Sequence, residues 1–169
     1  KLPDFVNKMM ENKWLGSKTG QGFYKKEGKE ILTLDLDTLE YRANKKASFA
    51  TLELTKTIDK PIDRFKVLVT GKDKAGDFYR KNFAAMFQYC SNRIPEITDA
   101  FYKIDDAMKA GFGWENGPFE IWDAIGVEKG IEIMKAEGYQ PASWVTDMLA
   151  SGTTSFYSVK DGATHFFAI

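Results

Sequence analysis

The chain has 169 residues, 43% of them hydrophobic and 28% charged, an ordinary mix for a folded protein with room for one domain with a real core or one domain plus an appendage. Its 24 Lys and Arg balance its 24 Asp and Glu, which argues against a nucleic-acid binder, because such proteins displace counterions with excess positive charge. A lone cysteine, Cys90, excludes an internal disulfide and fits a reducing compartment. No apolar run approaches the roughly 20 residues that a membrane-crossing helix needs, and no basic-then-apolar leader directs secretion. Together these features point to the cytoplasm, with no nucleic-acid partner and no membrane span. The chain opens at Lys1 on a sequence that reads as mid-domain, so it is expected to be a piece of a larger protein.

Residues 2–12 carry Phe5, Met9 and Met10 at helical spacing, with Pro3 near the start. The small-residue run GSKTGQG over 16–22 turns the chain, and Phe23-Tyr24 begins a strand. Ile31, Leu32 and Leu34 return after a turn at 26–29, which makes a β-hairpin. Residues 39–42 add a short extended piece. From Ser48 the period becomes helical. Ser48 is placed to cap a helix running to about 58, with Phe49, Leu52 and Leu54 inward. Pro61 opens another helix, carrying Ile62, Phe65, Val67, Leu68 and Val69, which Gly71 ends. The longest helix is expected over 74–93. There Ala75, Tyr79, Phe83, Met86 and Cys90 recur at three and four residues, with Phe78 and Phe87 beside them. Pro95 breaks it.

The stretch 104–126, IDDAMKAGFGWENGPFEIWDAIG, reads as a helix, a glycine-broken turn and a second helix. Gly111 is placed to close the first in a left-handed conformation. Gly117 precedes Pro118 at a first helical position, where the missing N–H costs nothing. Glu120 sits near the N-terminus, where the helix dipole favours a carboxylate. Phe119, Trp122 and Ile125 share one face. Physical chemistry alone reads this as a packed αα corner. A helix over 127–137 follows, ended by Gly138, and then a helix from Pro141 through Trp144, Val145, Met148 and Leu149, ended by Gly152. Phe156-Tyr157, the turn Lys160-Asp161-Gly162 and His165-Phe166-Phe167 form a second hairpin.

The two ends of the chain match. Both read Pro, helix, small-residue turn, Phe-Tyr, and a hairpin with a central glycine. Such a repeat implies duplicated units, the first without its front half, whose loss is expected to expose apolar surface and favour self-association.

Motifs that suggest chemistry do not survive a check of their spacing. GSKTGQG lacks the G-x-x-x-x-G-K-[ST] order and runs from helix to strand, the reverse of a phosphate cradle. GFGWENG over 111–117 is too long for G-x-G-x-x-G and follows no strand. His165, the sole histidine, has no nearby ligand cluster. Asp105 and Asp106 point about 100° apart on a helix, so one is expected to cap or to face solvent. Cys90 lies on an apolar face as an inert thiol.

As a pattern, D-D-A-hydrophobic, G-F-G, G-P-F-E, D and G within 104–126 closely resembles the signature of the C-terminal domain of 3-hydroxyacyl-CoA dehydrogenases. With K-T-G-Q-G-F-Y at 18–24, the chain is similar to the tail of bacterial multifunctional fatty-acid oxidation proteins that join this dehydrogenase to enoyl-CoA hydratase. The resemblance implies a mainly α fold, a helical bundle like the C-terminal domain of 6-phosphogluconate dehydrogenase, with small β-hairpins. It divides the chain into the tail of a first C-terminal unit (1–36), a linker with short helices (37–73) and a second unit (74–169). In that family a Rossmann NAD domain precedes these units and holds the catalytic histidine and its glutamate partner, which have no counterpart here. The fragment is therefore expected to carry no catalytic, cofactor-binding or metal-binding residue and to be inactive alone. Its implied role is to support the acyl-CoA cleft of an NAD-dependent parent and to provide an inter-unit or homo-oligomer interface. The N-R pair Asn92-Arg93 matches one in the family whose asparagine lines the active site, so Asn92 is a candidate substrate contact. It lies in the second copy, where binding neighbouring backbone near Pro95 is the competing role. A different reading remains: a non-enzymatic helical binding or assembly module that uses its Phe- and Trp-rich surface.

Overall fold

In a computed structural model, which describes residues 1–169, the chain folds as eight α-helices and five strands in two compact units, Lys1–Ala47 and Ser48–Ile169. No helix is long and apolar enough to cross a membrane.

The first unit begins with α1 (Asp4–Glu11), which buries Met9. A 3₁₀ turn, Ser17–Thr19, leads into an antiparallel sheet of β1 (Tyr24–Glu27), β2 (Glu30–Leu34) and β3 (Tyr41–Ala43), in that spatial order. Tyr24 pairs with Thr33, and Leu34 with Tyr41. The extended piece expected over 39–42 is thus a third strand. Tyr41 holds it in place by packing on Trp14 at 5.7 Å and donating its hydroxyl to the Gly22 carbonyl at 2.6 Å.

The second unit comprises α2 (Ala50–Thr55), α3 (Pro61–Thr70), α4 (Lys74–Asn92), α5 (Tyr102–Phe112), α6 (Pro118–Ile125), α7 (Val127–Ala136), α8 (Ser143–Ala150) and the hairpin of β4 (Tyr157–Lys160) and β5 (Ala163–Phe166). Helix α4 packs against α7, α3 and α6, so the helices within 48–73 belong to the same compact body as the rest of this unit. An aromatic stack forms the core. Phe87 of α4 lies flat on Trp122 of α6, with centroids 4.6 Å apart, and Phe101 touches Phe119, Trp144, Phe156 and Tyr157. Offset-stacked and edge-on ring pairs of this kind add roughly 0.5–1.5 kcal/mol each beyond their buried area. The mainly helical bundle with small hairpins is as the resemblance implied.

Local details differ from the sequence expectation in four places. Ser48 does not cap α2; Phe49 is the residue before it, and the cap comes from Asp73. That carboxylate accepts from Thr51 N–H (2.9 Å), Thr51 Oγ1 (2.7 Å) and Gly76 N–H (3.0 Å), so one side chain closes the N-termini of both α2 and α4. These bonds draw Thr51 inward, and Thr51 and Thr55 are the buried residues of α2 while Leu54 is exposed. Phe78 is also exposed, because the buried face of α4 centres on Phe83, Ala84, Phe87 and Cys90. Helix α5 runs through Gly111 and closes at Gly113, whose φ of 66° is the left-handed conformation that ends a helix. Helix α8 starts at Ser143, two residues after Pro141.

The repeat seen in the sequence extends to the backbone bonds. Asn12, Lys13 and Trp14 donate to the carbonyls of Lys8, Met10 and Met9, and Ser151, Gly152 and Thr153 donate to those of Asp147, Leu149 and Met148. Lys13 and Gly152 both adopt positive φ at the same step. Leu34 N–H donates to the Phe23 carbonyl as Phe167 N–H donates to that of Phe156. The edge-on pair Phe5–Phe23, at 6.3 Å, corresponds to Trp144–Phe156 at 5.7 Å.

Candidate functional site

The densest polar arrangement in the second unit is built on the αα corner. Asp105 lies in the first turn of α5, four residues after the buried Phe101, and is fully buried itself. Its Oδ1 accepts from Phe119 N–H (2.9 Å), and its Oδ2 accepts from Glu120 N–H (3.0 Å) and the Tyr157 hydroxyl (2.9 Å). The first two donors are among the unpaired N–H groups that begin any helix, so Asp105 caps α6 from a neighbouring helix. Gly117 makes the approach possible, since a Cβ there would overlap the Asp105 side chain. Glu120 reaches back to Gly117 N–H at 2.8 Å, and its other oxygen takes Lys109 Nζ at 2.8 Å. Further along α6, Asp123 accepts from Phe156 N–H and Tyr157 N–H, both at 2.8 Å. Asp106 faces solvent and meets only Lys109, at 3.5 Å. Of the adjacent pair, then, one caps and one is solvated.

Burial pushes Asp105 up to about 6, against the three hydrogen bonds that favour its charged form. Burial likewise raises Asp123 to about 6, with the nearby Asp105 charge adding to the effect. The Tyr157 hydroxyl is held far above its ordinary value by burial and then by the Asp105 carboxylate it donates to. Raised carboxyls in one cluster invite a catalytic reading. The geometry opposes it, because a general base must reach the proton it removes. Every oxygen of Asp105 and Asp123 is already taken by an N–H or hydroxyl of the protein, and Asp105 has no exposed surface. The cluster joins α5, α6 and β4; it is a clamp.

An apolar groove of about 390 Å³ lies beside α4 and α5, lined by Met86, Tyr89, Cys90, Ile104, Met108 and Pro118 among others, with Arg93 at its edge. Burial drives the Cys90 thiol up to about 11, which leaves it un-ionised and a poor nucleophile at neutral pH. Asn92, at the end of α4, is exposed, does not line the groove and donates its Nδ2 to the Gln88 carbonyl at 2.8 Å. Its neighbour Arg93 lies over the Tyr89 ring and pairs with Glu96. His165 stands exposed on β5. In the GSKTGQG loop, Thr19 Oγ1 ties the turn to itself through Leu15 N–H (3.0 Å) and the Gly16 and Gln21 carbonyls (both 3.2 Å).

Both sheets are antiparallel throughout, and no glycine-rich turn passes from a strand into a helix, so residues 1–169 build no crossover cradle for NAD. The sequence reading expected one of Asp105 and Asp106 to cap or to face solvent, but the helix that Asp105 caps and the roles of Asp123 and Tyr157 escaped it. The signal that pointed to Asp105 was an acid at helical spacing from Phe101, on a face that is otherwise apolar.

Comparison with known proteins places this arrangement. Residues 78–160 match the family model described as 3-hydroxyacyl-CoA dehydrogenase, C-terminal domain. A probable 3-hydroxyacyl-CoA dehydrogenase of Bacillus subtilis is 41% identical over 167 residues, covering 99% of this chain and 21% of that protein. Putative fatty acid oxidation complex trifunctional enzymes of Rickettsia felis and Rickettsia prowazekii are 28% and 27% identical over 69% and 76% of the chain, which covers 15% and 17% of their lengths. The chain thus spans about a fifth or less of the curated relatives it matches. No solved structure matches it significantly. These relationships favour the dehydrogenase resemblance over a free-standing assembly module. Through residues 78–160, which hold the entire Asp105–Asp123–Tyr157 clamp, the chain belongs to the family of the 3-hydroxyacyl-CoA dehydrogenase C-terminal domain.

Proposed function

We propose that this chain is the non-catalytic C-terminal portion of an NAD-dependent 3-hydroxyacyl-CoA dehydrogenase acting in fatty-acid β-oxidation in the cytoplasm. The family match over 78–160, together with the relative that aligns with 99% of the chain, carries this reading. On it, residues 1–36 are the tail of a first C-terminal unit, 37–73 are a linker with short helices, and 74–169 are a second unit. NAD is held by a Rossmann domain elsewhere in the longer protein, which is this chain's first partner. The helical units support the acyl-CoA cleft against that domain and supply the surface for inter-unit or homo-oligomer packing. The clamp fits a supporting role, since its polar atoms are spent on holding α5, α6 and β4 together. Asn92 is the one position here with a candidate substrate contact.

The test is an assay of the purified chain with a 3-hydroxyacyl-CoA and NAD, beside the full-length protein. The chain alone is expected to give no turnover and the full-length protein to give NADH. Turnover by residues 1–169 alone, free of contaminating enzyme, refutes the proposal. Asn92→Ala in the full-length protein separates the two roles of that residue: a raised KM marks substrate contact, and unchanged kinetics mark a role in the helix end.

A further inference from the structure

The two copies of the repeat use the same atoms differently. In the second unit Phe156 has no exposed surface and is enclosed by Phe101, Phe119, Trp122 and Trp144. Its N–H and that of Tyr157 donate to Asp123, and the Tyr157 hydroxyl donates to Asp105. In the first unit the corresponding Phe23 is 50% exposed and Tyr24 is 62% exposed, although their hairpin has the same pairing and register. Leu34 N–H donates to the Phe23 carbonyl, so the Tyr24 N–H one residue on turns away from β2, and the Phe23 N–H makes no return bond to Leu34. Two grooves flank the Phe23 ring. One, of about 260 Å³, runs along Val6, Met10, Trp14 and Leu15; the other, on the Tyr24 side, reaches Ile31. The face therefore offers three donors and an aromatic ring, and it supplies no carboxylate of its own to receive them.

We propose that this face of the first unit docks a helix-turn-helix segment of the α5–α6 kind, lying ahead of residue 1 in the longer polypeptide. The segment brings one carboxylate to the Tyr24 hydroxyl, a second to the Phe23 and Tyr24 N–H groups, and an apolar surface over the Phe23 ring. This rests on the reading of residues 1–36 as the tail of a first unit. Charge complementarity selects the occupant, since the donors on the face are those that Asp105 and Asp123 satisfy in the second unit. Chain order selects its source, because the α5–α6 corner precedes its hairpin there. The Bacillus subtilis relative is far longer than this chain, which covers 21% of it.

The experiment is amide hydrogen exchange on residues 1–169 and on the full-length protein, with Phe156 and Tyr157 as internal standards. Phe23 and Tyr24 amides are expected to exchange about 100-fold more slowly in the full-length protein, while the standards stay protected in both. Tyr24→Phe is expected to remove about tenfold of that protection in the full-length protein and to change nothing in 1–169. Equal exchange of Phe23 and Tyr24 in the two proteins overturns the proposal. So does protection in 1–169 that grows with protein concentration, which gives the face to a second copy. The residues encoded upstream separate the two levels of the argument. A dinucleotide fingerprint without an aspartate pair bracketing a Gly-Pro step leaves the dehydrogenase reading standing and removes the docked segment. Protection of Phe23 and Tyr24 in a full-length protein without dehydrogenase turnover does the reverse.

Discussion

Phe156 and Phe23 occupy the same place in the two repeats, so truncating each measures what the surrounding fold contributes. Phe156→Ala removes a ring with no exposed surface from among Phe101, Phe119, Trp122 and Trp144, whose centroids lie 5.1–5.7 Å away. Losing the transfer free energy of a buried phenyl ring and leaving a cavity costs about 3–5 kcal/mol. The rigid neighbouring rings limit collapse into the space and favour the upper half of that range. Phe23→Ala removes a half-exposed ring with one aromatic neighbour, Phe5, and opens no enclosed cavity. Half the transfer term remains, about 1 kcal/mol. At about 1.4 kcal/mol per tenfold, the two variants of residues 1–169 should differ by two to three powers of ten in unfolding equilibrium. Urea titration read by NMR checks this, with the Tyr157 and Tyr24 amide signals reporting the two units separately. A cost below about 2 kcal/mol for Phe156→Ala, or equal costs for the two variants, would refute the reasoning.

Stability should peak below neutral pH. The folded-state values of Asp105 and Asp123, about 6, lie above the ordinary 3.8, so the stability they contribute is full below about pH 4 and is lost as the pH rises through about 6. Asp105 alone accounts for up to about 3 kcal/mol. Asp73, held down to about 2 chiefly by the Thr51 and Gly76 N–H groups, acts in the opposite sense, and its contribution is lost as the pH falls from about 4 toward 2. Urea midpoints from pH 3 to 8 should therefore pass through a maximum near about pH 3.5, and a plateau reaching pH 8 would contradict the burial of these carboxyls. Tyr157→Phe removes one charge-assisted donor from Asp105 and should cost about 1.5–3 kcal/mol at pH 7; because that bond favours the ionised carboxyl, its loss should also carry the decline to higher pH. An unchanged urea midpoint at pH 7 would remove the hydroxyl from the clamp. Gly130→Ala places a Cβ on the Trp122 indole nitrogen, which donates to the Val127 carbonyl at 3.0 Å, and should cost about 2–3 kcal/mol in thermal unfolding. A wild-type Tm would show that α6 and α7 can separate freely.

Much of the fold was legible because it rests on near neighbours in the chain. The spacing of Phe83, Cys90 and Phe87 announces a helix with a wide apolar face, and Gly117-Pro118 with Glu120 three residues beyond the glycine marks the start of α6. Asp161-Gly162, both at positive φ, sets the turn of the second hairpin. The repeat was visible as residue order before any bond was seen. Where the expectation failed, the deciding partner was remote or local choices were nearly equal. Ser48 is a sound cap by type, yet Asp73 caps α2 from 22 residues away. Gly111 and Gly113 both permit a left-handed turn, and the bond from Gly113 N–H to Lys109 selects the latter. Phe78 is apolar and correctly spaced, but α3, α6 and α7 cover other sides of α4.

By itself, the sequence determined the element types, the duplicated hairpin ends and the signature that ties residues 78–160 to their family, since each depends on spacing along one stretch of chain. Only the tertiary structure decided that Asp105 is a buried clamp and Asp106 a solvated neighbour. The hydroxyl that meets Asp105 comes from Tyr157, 52 residues away, and the cost of burying a carboxylate is offset only where folding gathers its donors. The same holds for Phe156 and Phe23, identical in residue and in hairpin position. One is enclosed by four rings and the other is half open, because burial belongs to the neighbours a fold assembles.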